Sequence, residues 1–141
     1  MIYVDTSALV PYYCPEPLSP AVQRFLGQQV DRTISDLVEV ELFSALARKV
    51  RTGELRRADA QRIQEVFRTH LEAGMYLRLP VERRHFAVAR EWLVALHTPL
   101  ATLDALHLAI AAAQDCPMVT VDAALARAGR AVGVRVRLLR K

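Results

Sequence analysis

The hydrophobic positions of this chain change period several times, and each change marks an element. Ile2-Tyr3-Val4 is a short continuous β-prone run, the mark of a strand buried on both faces. Cys14–Pro20 is proline-rich and reads as a short loop. Ser19-Pro20 sets an N-cap before a proline at the first helical position and predicts a helix to about Gln28. Arg32–Ser35 reads as a second strand. Residues 36–52 then turn helical, and Gly53 fits the stop. Over 56–73, Ile63, Val66, Phe67 and Leu71 recur at helical spacing, with Gly74 beyond them. Met75–Leu79 predicts a strand ended by Pro80. Residues 82–96 predict a helix with Phe86, Ala89, Trp92, Leu93 and Leu96 on one face, and Phe86 and Trp92 are expected in the core. Thr102 is a suitable N-cap for a strongly apolar helix to about Asp115. Met118–Val121 is a fourth strand, about 123–129 a short helix, and Val134–Leu138 an alternating edge strand.

Strands separated by helices predict an α/β fold, with a mainly parallel sheet and right-handed crossovers. No linker or repeat interrupts it, so one domain over 1–141 is expected. Ligands of such folds bind beyond the carboxyl ends of the strands, where strand order reverses. Composition agrees: 141 residues, 52% hydrophobic and only 5 Gly, exclude disorder and low complexity. Two cysteines, Cys14 and Cys116, exclude a disulfide scaffold and a four-cysteine zinc site. No apolar run reaches the roughly 18 residues of a membrane span. The opening MIYVDTSALV lacks a basic start and carries an Asp, unlike a signal peptide. A soluble, cytoplasmic protein without membrane partners is expected.

Net charge is +4, and the basic residues are 17 Arg and 2 Lys, a choice that a GC-rich genome explains by itself. Their placement says more. Residues 1–47 carry −4, 48–90 carry +6, 91–122 carry −4 and 123–141 carry +6. If folding joins the two acidic segments, an acidic centre with basic flanks results. The Arg-rich stretches at 48–57, 83–90 and 127–140 are candidate phosphate contacts, although solvated faces explain many of them.

Four acids stand at the starts of otherwise apolar elements. Asp5 follows the first strand and Asp122 the fourth, so both belong to the sheet edge where ligands bind. Asp104 opens the greasy helix, and Glu41 lies in the second turn of the helix after strand two. Each has an ordinary alternative. Asp5 and Asp122 can cap the helices that follow them, Asp104 can complement a helix N-terminus, and Glu39 and Glu41 can be solvated helix residues. Four together in one crevice would repel, at about 4 kcal/mol per pair 4 Å apart at an effective dielectric of 20. Such a cluster must protonate or hold a cation, and hard oxygen donors suit Mg²⁺ or Mn²⁺. A carboxylate-held cation can activate water and stabilise charge on a phosphoryl oxygen, so the chemistry points to phosphodiester hydrolysis. No GxGxxG follows strand one, no GxxxxGK[ST] exists, and no CxxC or HExxH zinc motif is present. A phosphoaspartate mechanism on Asp5 lacks its second Asp, because Ser7 occupies that position.

The stretches YVDTSALV (3–10), ISDLVEVELFSAL (34–46), TLDALHLAIA (102–111) and VTVDAALARAG (119–129), in this order and spacing, resemble the PIN-domain family, and within it the VapC-type toxins of prokaryotic toxin–antitoxin pairs. The resemblance runs from end to end. It implies a PIN-like three-layer fold with a parallel sheet of four or five strands, ordered 3-2-1-4-5, between helices. It implies a Mg²⁺- or Mn²⁺-dependent endoribonuclease whose acidic quartet is Asp5, Glu41, Asp104 and Asp122, serving both as catalytic residues and as metal ligands. Glu41 follows from register against Ser35, which resembles the family's strand-end Ser; helical geometry leaves Glu39 open. Ser7 and Thr120 correspond to the family's supporting hydroxyls, with a helix cap or turn as their ordinary alternative. His107, three residues beyond Asp104, can reach the site, but a histidine at the core edge is expected. His70, His85 and His97 carry no signal. The implied partners are an RNA substrate, a cognate antitoxin laid over helices 36–52 and 56–73, and a second copy in a homodimer. The competing readings are a PIN nuclease of RNA processing, a non-catalytic RNA- or protein-binding PIN module, and a phosphoryl-transfer or nucleotide-binding domain.

Overall fold

The computed structural model of the chain describes residues 1–141. The elements are β1 (Ile2–Val4), α1 (Thr6–Tyr13), α2 (Ser19–Gly27), β2 (Arg32–Ser35), α3 (Asp36–Arg51), α4 (Arg57–Glu72), β3 (Leu77–Leu79), α5 (Arg83–Ala95), α6 (Thr102–Ala113), β4 (Met118–Thr120), α7 (Ala123–Ala131) and β5 (Val136–Leu138). The strands form one parallel sheet in the order β3-β2-β1-β4-β5, flanked by the seven helices, a PIN-like arrangement. No helix is long and apolar enough to cross a membrane.

Burial follows position in the sheet. β1 and β4 are central; Tyr3, Val4, Met118 and Val119 have no exposed surface. β5 is an edge, and its alternating character places Arg137 outward between half-buried Val136 and Leu138. Ile34 of β2, Leu9 of α1, Leu26 of α2, Leu42 of α3, Phe67 of α4 and Leu108 and Ile110 of α6 complete the main core. A smaller cluster joins α5 to α6 through Ala89, Ala105, Leu106 and Ala109, and its three alanines let the two helices approach closely.

Several expectations change. Helix α1 directly after Asp5 is an additional element, short and with Pro11 inside it. On α5, the buried residues are His85 and Ala89, and Trp92 is half-buried against both clusters. Phe86, expected in the core, is 54% exposed, because one residue on a helix turns the side chain by about 100° away from the stripe that α6 covers. Leu96 caps the helix in a left-handed conformation, φ 59°, and is exposed. Helix α7 passes through Gly129, where an added Cβ would lie 2.7 Å from Val136 and 2.8 Å from Leu108; the glycine sets how closely α7 sits on β5 and α6.

Strand order reverses between β1 and β4. The chain runs outward from β1 to β2 and β3 on one side, and from β4 to β5 on the other. The crevice at their carboxyl ends is therefore the topological binding position. The pairing of Val4 with Val119 brings Asp5 beside Thr120, and the Asp5 amide donates to the Val119 carbonyl at 3.0 Å.

Candidate active site

Asp5 is the N-cap of α1 and is nearly fully buried. Its Oδ2 accepts from the Ser7 hydroxyl at 2.5 Å, the Ser7 amide at 3.3 Å and the Thr120 hydroxyl at 3.0 Å. The Ser7 and Thr120 oxygens lie 2.9 Å apart, so the single Thr120 hydroxyl proton serves either Asp5 or Ser7, while the Val121 amide donates to Ser7 and the Asp122 amide to Thr120. Both hydroxyls therefore hold Asp5 while closing the turn after β4, joining the site role to the turn-closing role. Asp5 Oδ1 accepts no hydrogen bond and lies 3.9 Å from His107 Nε2.

Glu41 projects from α3 toward the same place. Core packing of Val38, Leu42 and Leu46 sets the rotation of the helix, and Glu41 falls on its crevice side. Its Oε1 accepts from the Thr6 hydroxyl at 2.8 Å and from His107 Nε2, while Oε2 accepts nothing. Burial pushes its carboxyl up, but the His107 and Thr6 bonds more than offset this and hold it below the usual range. Glu39 leaves the opposite flank and meets Arg78 of β3 through two bonds, at 2.6 and 3.2 Å. The geometry left open by the sequence thus separates the two: Glu41 faces Asp5, and Glu39 is occupied elsewhere.

Asp122 caps α7, with Oδ1 accepting from the Ala124 and Leu125 amides at 2.9 and 3.1 Å. Its Oδ2 is unbonded. Asp104, half-buried in the first turn of α6, accepts no hydrogen bond on either oxygen. Burial raises its carboxyl above the usual range, and the negative charges of Asp5, Asp122 and Glu41 add to that rise while His107 opposes it. Asp104 therefore feels all three of the other acids.

His107 is more than the expected core-edge histidine. It is 1% exposed, yet one ring nitrogen meets Glu41 and the other the Tyr3 hydroxyl at 2.7 Å. Tyr3 bonds Ser35 at 2.8 Å, and Ser35 Oγ in turn caps α3 by accepting from the Val38 amide. Burial opposes charge on the imidazole, but Glu41, Asp5 and Asp104 outweigh it and raise its pKa. In the charged form both ring N–H groups donate, to Tyr3 and to Glu41, and the Tyr3 hydroxyl donates onward to Ser35. The site thus depends on Thr6, Tyr3 and His107, of which the sequence singled out only His107. Thr6 carries the one available signal, since it stands inside the DTS stretch.

Three of the four carboxylates share a pattern: one oxygen is anchored by protein donors and the other is left free. With both oxygens of Asp104, five carboxylate oxygens lack a protein donor, and none is a sealed buried atom. The site residues fit a hard divalent cation that keeps part of its water shell. They do not close into a compact cage, since no three His, Cys, Asp or Glu groups converge as a complete metal-binding set. A cleft of about 470 Å³ leads away from the site, lined by Thr6, Ser7, Val10, Glu16, Glu41, Ser44, Ala45, Arg48, Leu103 and Val121.

Known structures share this fold. The Mycobacterium tuberculosis toxin VapC20, described as cleaving the sarcin–ricin loop, superposes with TM-score 0.73 at 17% identity, covering 95% of this chain and 96% of that one. VapBC2 of Rickettsia felis, solved with a promoter DNA fragment, gives 0.74 at 16% identity over 99% and 100%. A FitAcB structure from Neisseria gonorrhoeae gives 0.69 at 20% identity over 96% of each chain. No curated protein matches the chain in sequence. The PIN domain model matches residues 2–131, nearly the whole chain, and the chain accordingly belongs to the PIN-domain family.

Proposed function

We propose that this protein is a divalent-metal-dependent endoribonuclease, the toxin of a toxin–antitoxin pair. The observation that carries the reading is the set of half-anchored carboxylates. Asp5, Glu41 and Asp122 each spend one oxygen on protein donors, and Asp104 spends neither. Acids this interdependent at the carboxyl edge of a parallel sheet suit Mg²⁺, with Mn²⁺ as a substitute. Asp5, Glu41, Asp104 and Asp122 would hold the ion. When bound, it supplies positive charge that polarises a water and a phosphoryl oxygen.

The chain's own residues prepare that chemistry. Ser7 and Thr120 hold Asp5 in one rotamer, and Thr6 and His107 do the same for Glu41. The α7 amides fix Asp122. Pre-oriented groups avoid reorganisation when charge develops, where much of an enzyme's rate enhancement arises. Asp104 has no protein donor, and burial together with the other three acids raises its pKa, so a cation beside it would favour its charged form.

The toxin role draws on the similar structures, one described as a sarcin–ricin loop cleaving toxin and another as a toxin–antitoxin complex. An antitoxin would cover the exposed parts of α3 and α4; Val40 and Val66 are exposed there. A homodimer and a cytoplasmic location belong to the same proposal. The test is cleavage of a structured RNA pool by purified protein. Cleavage with Mg²⁺ or Mn²⁺ that EDTA abolishes is expected. A protein that binds RNA and Mn²⁺ but never cleaves would instead be a binding module. Growth arrest on expression, relieved by co-expressing the product of an adjacent small gene, is expected of a toxin. Cleavage without growth arrest would favour an RNA-processing nuclease.

A further inference from the structure

We propose that the cleft leading from Glu41 to Arg48 is a subsite for a second, non-scissile phosphate of the RNA, and that Arg48 is the cation that binds it. The inference rests on the nuclease reading and deepens it. Glu41 and Arg48 lie seven residues apart on α3, two turns, so they share a face at about 10.5 Å along the axis. Both line the same cleft, with Ser44 and Ala45 between them. At the ~3.4 Å per nucleotide of a stacked strand that distance is about three nucleotides, and fewer for a splayed one.

Charge sorts the residues of this cleft. Its other acid, Glu16, is already paired with Lys49 at 2.8 Å, and Lys49 also reaches Glu54 at 3.3 Å. Across α3, Arg78 is taken up by Glu39. Arg48 has no carboxylate partner and is exposed. The cleft therefore runs from Glu41, at the edge of a four-carboxylate cluster that the single His107 cannot balance, to an unneutralised guanidinium at the other end. A ligand that suits both ends carries phosphate: one group approaches the acids with a cation between, and a neighbour meets the guanidinium directly. Arginine's fork of donors matches phosphate oxygens, and the contact reads no base. Arg51, one turn further and also unpaired, lines a different groove with Arg57 between α3 and α4, and serves as the internal control.

The experiment measures binding of a short fluorescent single-stranded RNA by anisotropy, in Mg²⁺, over a potassium chloride series. An Asp5→Asn background keeps the helix cap while disabling cleavage. Arg48→Ala is expected to weaken binding about tenfold at low salt and to reduce the slope of log K against log salt by about 0.7, one phosphate contact on a single strand. The loss should be uniform across RNA sequences. Arg48→Lys should keep the slope, and Arg51→Ala should change neither quantity. In the otherwise wild-type enzyme, Arg48→Ala should raise KM and leave kcat unchanged. An unchanged affinity and slope for Arg48→Ala, or an equal loss in Arg51→Ala, overturns the subsite while the nuclease reading stands. Absence of both RNA binding and cleavage in the wild type overturns the nuclease reading and the subsite with it.

Discussion

Removing one oxygen atom should expose how much the site depends on the core beneath it. Tyr3→Phe keeps the ring that packs in the sheet and deletes the hydroxyl between Ser35 and His107. Tyr3 is fully buried, and burial raises its pKa far above the ordinary range, so the O–H stays a donor at any working pH. Two buried hydrogen bonds are lost, at about 1 kcal/mol each, and one imidazole nitrogen of a 1% exposed histidine is orphaned, at about 1–3 kcal/mol. Ser35 keeps its bond from the Val38 amide, which limits the damage on that side. The sum is about 3–5 kcal/mol, or roughly 10–17 °C in Tm for a domain of this size. Thermal unfolding by circular dichroism reads it. A double-mutant cycle with Ser35→Ala should show a coupling of about 1 kcal/mol, because both changes break the same bond. A Tm within about 2 °C of wild type, or additive losses, would mean that the Tyr3 hydroxyl does not bridge these groups and that His107 is not held from below.

Other outcomes follow from the same geometry. Glu41→Gln should abolish RNA cleavage and Glu39→Gln should leave it, read by a gel assay with matched protein; the reverse would exchange their roles. Asp122→Asn keeps a cap on α7 and should lose activity with stability within about 0.5 kcal/mol of wild type, whereas Asp122→Ala should also lose about 1 kcal/mol of stability. Burial, helped by Arg84 and opposed by Glu82, lowers the pKa of His85, whose Nδ1 accepts the Glu82 amide. The folded protein then binds this proton more weakly than the unfolded chain. The stability involved is complete above about pH 6.5 and is lost as pH falls through the folded pKa. Denaturant melts from pH 7.5 downward should fall less steeply for His85→Asn than for wild type; an equal slope would remove His85 from the acid sensitivity.

The strands and most helices were legible because their signals are local. Ile2–Val4 and Met118–Thr120 are apolar runs, and the ends of α3 and α4 carry their glycines. Helix α1 was not, since eight residues with Pro11 inside give too short a period to detect. The exposure of Phe86 on α5 was not legible, because the position of the buried stripe depends on where α6 lies, which the helix does not encode by itself. In the site, Asp5 and Asp122 were legible as carboxylates at strand ends. The orientation of Glu41 against Glu39 was not, because it depends on how Val38, Leu42 and Leu46 seat α3 in the core. The links that hold the site join Tyr3 to His107 and Thr6 to Glu41, 104 and 35 positions apart, and no local pattern announces such pairs.

The central claim is that Asp5, Glu41, Asp104 and Asp122 act together on one divalent cation. Calorimetric titration of Mn²⁺ into the purified protein, wild type against Asp5→Asn, tests it most directly. Asn keeps the cap on α1 and removes the charge of the most buried acid, so the fold should survive while affinity falls by ten-fold or more. Equal Mn²⁺ affinity in the two folded proteins, or no Mn²⁺ binding by the wild type, would contradict it.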